Sequence, residues 1–230
     1  MTDHLTNFVT SDAAAAAANG PEFKGYVPLT GPIFHHLVAA LGEQGLDDID
    51  WSENVKPPTS AEAFAREAIF VIANSGMKHT IAQSIFRKSM QALLAGTPVA
   101  DVFGHKGKAS AFETIWRDRE TLYQGFLETE DPLTYLRALP HIGPITVMHL
   151  GKNLGLNLAK PDRHLEKLAA RAGVSTQELC EQLAAETGYR AATIDTILWR
   201  ACATGALNPD TGEIPTYYIY EALSRPEATA

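Results

Sequence analysis

Cysteine is almost absent from this chain: Cys180 and Cys202 are the two among 230 residues. Two thiols cannot supply the four thiolates of an iron–sulfur cluster. Both sit at apolar helical positions, which predicts buried free thiols and no disulfide framework. Long apolar runs are missing too. No stretch approaches the roughly 18 consecutive apolar residues of a membrane span. The N-terminal MTDHLTNFVTSDAAAAAANG has no basic start followed by an apolar run, so it does not read as a secretory signal. Cytoplasmic residence is the resulting expectation. Positive charge is scarce: Lys plus Arg is 19 against 27 Asp plus Glu, a formal charge of −8. Such a balance excludes a broad basic surface for nucleic acid. A nucleic-acid function would need a local basic patch and backbone donors.

What is present is helical patterning nearly throughout, with no repeat and no strand alternation of useful length. Residues 33–43 carry apolar positions at helical spacing and are expected to stop near Gly45. DDIDWSENVKPPTS is polar and Pro-rich and reads as a loop. Thr59 or Ser60 should cap a long, mostly apolar helix that ends before Gly76. MKHTIAQSIFRKSMQALLAG reads as an amphipathic helix closed by Gly96. GHKGKASAF is a glycine-rich turn entering another helix, and Asp131-Pro132 opens DPLTYLRAL. Further on, DRHLEKLAARA is stopped by Gly173. Ser175 with Glu178 forms a capping box, and RAATIDTILWRACATG is the last strong helix. The tail from Asn208 looks extended, and residues 1–22 read as a weakly ordered arm.

LPHIGPITVMHLG, residues 139–151, interrupts the helices. Pro140 cannot continue the helix before it. Gly143 can take the positive φ of a tight turn, and Pro144 suits the first turn of a new helix. A hairpin of this kind leaves the first amides of its second helix unpaired at the positive end of the dipole. A phosphate can bind there without lysine.

LPHIGPITV followed by KPDRHLEKLAARAG resembles the helix-hairpin-helix DNA glycosylase superfamily. Leu139, Pro140, Ile142, Gly143 and Thr146 match its hairpin pattern, and Pro161, Asp162, His164, Leu165 and Leu168 match the segment that follows. VIANSGMKHTIAQSIF and GHKGKASAF are similar to two weaker pieces of the pattern, so the resemblance spans about residues 60–205. It implies an all-α fold of two helical lobes with a cleft between them. Residues 60–160 would form a helical-barrel lobe ending in the hairpin, and 23–59 with 161–225 the second lobe. There are two departures. His141 replaces the first hairpin glycine. Ile145 stands where strand-cutting members carry a lysine, so Schiff-base chemistry is not available from that position.

The resemblance implies a base-flipping enzyme of base excision repair acting on double-stranded DNA. Asp162 would be the catalytic carboxylate, stabilising positive charge on the sugar and activating water; its other reading is an N-cap. His141, Ile142, Gly143, Ile145, Thr146 and His164 would contact the DNA backbone, although His141 and His149 also read as a turn residue and a packed helix residue. Asn74, Ser75, Met77, Lys78 and His79 would form the loop that wedges into the stack. Lys106 and Lys108, with His105, form a small basic patch or a solvated loop. Trp51, in its polar loop, could stack on a base, whereas Trp116 and Trp199 read as core. Asp195 reads as structural. His35-His36 has no third ligand, so no side-chain metal site is expected. No cofactor is required, though hairpin carbonyls in the family can hold a monovalent cation.

The leading expectation is a monofunctional DNA glycosylase, a hydrolase working as a monomer in a bacterial or phage-infected cell. A second reading is a phage-type DNA-modification transferase that places a free amino acid on an activated 5-methyl group of uracil. A third is a non-catalytic hairpin module that only binds DNA.

Overall fold

The computed structural model describes residues 28–215, and the N-terminal arm lies outside them. Within them are eleven α-helices and no strand, so the chain is all-α. The helices divide into two units. One is Val55–Leu158; among the described residues, the other comprises 28–54 and 159–215.

The Val55–Leu158 unit is organised on one apolar helix. In chain order the discontinuous unit contributes α1 (Gly31–Leu41) and α2 (Glu43–Asn54). The continuous unit then supplies α3 (Ala61–Asn74), α4 (His79–Ala95), α5 (Lys106–Arg117), α6 (Arg119–Glu128), α7 (Pro132–Arg137) and α8 (Pro144–Asn153). The Ser60 hydroxyl caps α3 by accepting from the Ala63 amide at 3.1 Å. Phe64, Ala65, Ala68, Ile69, Val71, Ile72 and Ala73 are all fully buried. A helix apolar on most of its circumference belongs at the centre of a core, and α3 packs against α4, α5, α6 and α8. Gly96 closes α4 in the left-handed conformation. Trp116 is partly buried against this core, with the Arg119 guanidinium over its ring.

One carboxyl sits badly in this unit. Burial pushes the Glu67 pKa above its ordinary 4.5, and a hydrogen bond from Asn153 Nδ2 at 2.6 Å offsets part of the rise. The fold thus favours the protonated acid. Stability is full at low pH and is lost as pH rises through the folded-state value. Glu67→Gln should therefore melt higher than the parent at neutral pH. That advantage should vanish below the ordinary glutamate range, which melting curves at both pH values check.

The other unit is built on α11 (Ala191–Thr204), preceded by α9 (Arg163–Ala172) and α10 (Thr176–Thr187). Residues 191–198 of α11 are buried without a break. The Glu53 carboxylate meets the start of α11, accepting from the Arg190 amide at 2.9 Å and from the Thr193 hydroxyl at 2.5 Å. The Ser175–Glu178 capping box is formed. Cys180 and Cys202 are free and buried.

Four expectations are corrected here, the last of them the extended tail from Asn208. The predicted loop over 47–60 is helical up to Asn54, because Asp48, Ile49 and Ser52 bury one face of α2. The first helix stops at Gly42, which takes φ 60°, and not near Gly45. Gly45 lies inside α2, where a Cβ would stand 2.9 Å from the Val38 carbonyl oxygen and from Leu41 Cβ. Its lack of a side chain lets α2 fold back on α1. Trp199 is 37% exposed and not core; Arg200 lies over its ring. In the tail, Asn208–Gly212 is a tight turn, with the Gly212 amide donating to the Asn208 carbonyl at 2.7 Å.

Candidate nucleic-acid interface

The hairpin joins α7 to α8. Asp131 caps α7 by accepting from the Thr134 amide at 3.1 Å. Leu139 and Ile142 are buried on either side of the turn, and Val147 and Leu150 bury the next helical face. These four apolar anchors fix the turn to the core. His141 takes the left-handed conformation at φ 61°, and it is the positive-φ non-glycine residue among those described. Gly143 is extended, at φ −88° and ψ 177°. The expectation that Gly143 supplies the positive φ is thus overturned. The left-handed position is two residues earlier, and histidine is one of the side chains that tolerate it.

Gly143 is therefore not required by its backbone, and packing does not require it either. A Cβ there would meet only Thr146 Oγ1, at 3.9 Å. The Val147 amide closes onto the Gly143 carbonyl at 2.9 Å. The amides of Gly143, Ile145 and Thr146 have no partner among the described residues, and Pro144 has no amide hydrogen. Ile145 is 45% exposed.

Ile142 has both of its backbone polar groups engaged within the hairpin. Its side chain is buried and its amide donates to the Leu139 carbonyl at 3.2 Å. Its carbonyl accepts from Arg137 Nη1. His141 is exposed, with its ring edge-on to His105 at 5.7 Å.

Asp162 belongs to the discontinuous unit. The segment entering it is held by side chains: Gln177 Oε1 accepts from the Ala159 amide at 2.7 Å and Asp195 Oδ1 from the Lys160 amide at 2.9 Å. Asp195 is thus structural in a specific way, tethering the backbone two residues before Asp162. Asp162 Oδ1 accepts from the amides of His164 and Leu165, at 2.9 and 3.1 Å. Its Oδ2 has no partner among the described residues. The N-cap role is therefore real and uses one oxygen. Burial, with the Asp162 charge adding to it, pushes the nearby Cys202 thiol up to about 12. That thiol stays neutral and is no rival nucleophile. His164 is half-buried and its Nδ1 is enclosed without a partner.

In the wedge loop, Asn74 ends α3 and Gly76 takes φ 73°. Ser75, Lys78 and His79 are exposed, while Met77 packs against the core. The exposed apolar side chain at this end of α4 is Ile81, at 52%, a position without any motif to single it out in the sequence. Lys106 is exposed, but Lys108 is buried and is not part of a basic surface. Its Nζ donates to the Ser75 carbonyl at 2.7 Å, and burial lowers its pKa. Lys108 is a strut under the Ser75 turn. Trp51 lies on α2, not in a loop, and is 46% exposed. Among the described residues no cluster of His, Cys, Asp and Glu could hold a metal ion, and no helix is long and apolar enough to cross a membrane. No protein-family model, curated protein or solved structure matches the chain.

Proposed function

We propose that the chain is a base-flipping DNA enzyme that hydrolyses the N-glycosidic bond of a damaged or modified base. The observation that carries this reading is the hairpin. Free amides of Gly143, Ile145 and Thr146 stand beside a glycine that neither backbone nor packing demands. A glycine with open space at its Cβ fits close approach of something from outside. Amides at a helix start, at the positive end of the dipole, suit a phosphate. This donor set needs no basic surface, which reconciles a DNA ligand with a charge of −8.

Asp162 supplies the chemistry. As the bond from the base to the sugar breaks, positive charge grows on the sugar, and the Oδ2 side of the carboxylate stabilises it. Water adds to the sugar carbon, one of its protons passes to the carboxylate, and the base leaves with the bonding electrons and is protonated. Ile145 offers no amine for a Schiff base. The product is an intact strand with an abasic site. Breakage should require alkali, and borohydride should trap no covalent adduct with DNA. A trapped adduct contradicts simple hydrolysis.

Gly143→Ala tests the hairpin. Alanine is a poorer N-cap than glycine, so stability should fall by less than about 1 kcal/mol. The methyl group stands off a phosphate from the amides, whose charge-assisted bonds are worth about 1.5–3 kcal/mol each. Duplex binding by fluorescence anisotropy should weaken roughly tenfold or more, since about 1.4 kcal/mol is a factor of ten. Unchanged binding in a folded variant removes the hairpin from the interface.

A further inference from the structure

Helix α9 carries an arrangement that stability does not account for. Arg163, Lys167 and Arg171 follow one another at four-residue spacing and are all exposed. At about 100° per residue they share one stripe, flanked by His164. Leu165, Leu168 and Ala169 bury the opposite face. Arg163 opens the helix, where the dipole disfavours a cation, and it has no carboxylate partner among the described residues. It stands beside Asp162 in sequence. In an acidic chain, this is a local concentration of positive charge.

Glu166 is exposed in the first turn of the same helix, and from outside the helix Asp210 pairs with the stripe. Asp210 is presented by the Asn208–Gly212 turn, where Asn208 Oδ1 accepts from the Asp210 amide at 2.9 Å. Lys167 Nζ meets Asp210 Oδ1 at 2.5 Å, with both side chains at least half exposed. The Asp210 carboxyl is held below its ordinary range chiefly by that hydrogen bond, and the charges of Arg171 and His164 add to it. It therefore lies within the field of Lys167, Arg171 and His164. Exposed ion pairs contribute only about 0–1 kcal/mol, so a phosphate can displace this one at little cost.

We propose that the Arg163–Lys167–Arg171 face of α9 is a docking surface for the phosphate backbone of DNA, with Asp210 as a built-in competitor released from Lys167 on binding. The proposal rests on the DNA reading above.

The test is duplex binding by anisotropy across a salt series, with the full chain and its Arg163→Gln/Arg171→Gln, Asp210→Asn and Glu181→Gln variants. Each phosphate that is no longer neutralised should flatten the slope of log K against log salt by about 0.9, so by roughly 1.8 for the double variant. Asp210→Asn should bind about 1.5- to 5-fold tighter, the equivalent of an exposed ion pair. Glu181→Gln makes the same charge change on α10 and should not tighten binding. A parent that binds DNA while the double variant keeps its slope and Asp210→Asn its affinity overturns the docking surface and leaves the DNA reading standing. A parent that does not bind overturns both. Melting curves establish that the variants are folded; if the double variant is not, the comparison of Asp210→Asn with Glu181→Gln decides.

Discussion

Asp162→Asn should leave the fold standing and cut single-turnover base release by about a hundredfold to ten-thousandfold. The lower bound is the usual effect of removing one electrostatic stabiliser, and the upper bound adds the loss of a general base. The fold survives because asparagine keeps an oxygen for the His164 and Leu165 amides, now met at 2.9 and 3.1 Å. Asn and Asp are equivalent N-caps. Only the interaction of a charge with the dipole of α9 is lost, about 0.3–1 kcal/mol. Asp162→Ala removes the cap as well and should cost a further 1 kcal/mol or so. The two variants thus separate the roles: both lose turnover, and only alanine lowers the melting temperature clearly. Asp162→Asn with parental turnover would reduce Asp162 to a helix cap.

Asp48→Ala should cost about 3 kcal/mol of stability. Asp48 Oδ2 accepts from Arg200 Nε at 2.7 Å and Oδ1 from Arg200 Nη2 at 3.1 Å, a two-pronged pair tying α2 to α11. Side-chain exposure is 12% for the aspartate and 28% for the arginine. Removing one partner of a buried pair strands the other charge, at about 3–5 kcal/mol; the partly exposed guanidinium recovers some hydration, which favours the low end. Replacing both partners by apolar residues should cost much less. Chemical denaturation of the single and double variants measures this. A loss under about 1 kcal/mol for Asp48→Ala would make the pair a surface interaction in energetic terms.

The same pair explains what sequence can and cannot reveal. Helices set by local chemistry are legible: α3 by Ser60 and its apolar run, α4 by Gly96, and α10 by its capping box. Helix α2 is not, because DDIDWSEN looks polar until Arg200, 152 residues away, receives Asp48. Lys108 misleads for the same reason, since its partner is a carbonyl 33 residues back. The hairpin is legible as a turn between helices, but the sequence points to the wrong residue for its left-handed position. Glycine is the usual left-handed residue, and His141 takes that role here. Arg137 carries no motif, and neither does Asp195; each acts through a backbone group that only folding brings near. The stripe on α9 is present in the sequence as four-residue spacing. Its counter-charge, Asp210, appears only when the Asn208 turn meets the helix.

The central claim is tested most directly by mass spectrometry of duplex DNA after incubation with the protein. The duplexes should carry alkylated, oxidised, deaminated or hypermodified bases, with and without free amino acids. Hydrolysis predicts a free base and an abasic strand from at least one substrate, and neither product with Asp162→Asn. A heavier nucleoside formed only with an amino acid present would show group transfer in place of excision. Tight binding with every nucleoside intact across the panel would contradict the enzymatic account and leave a DNA-binding module.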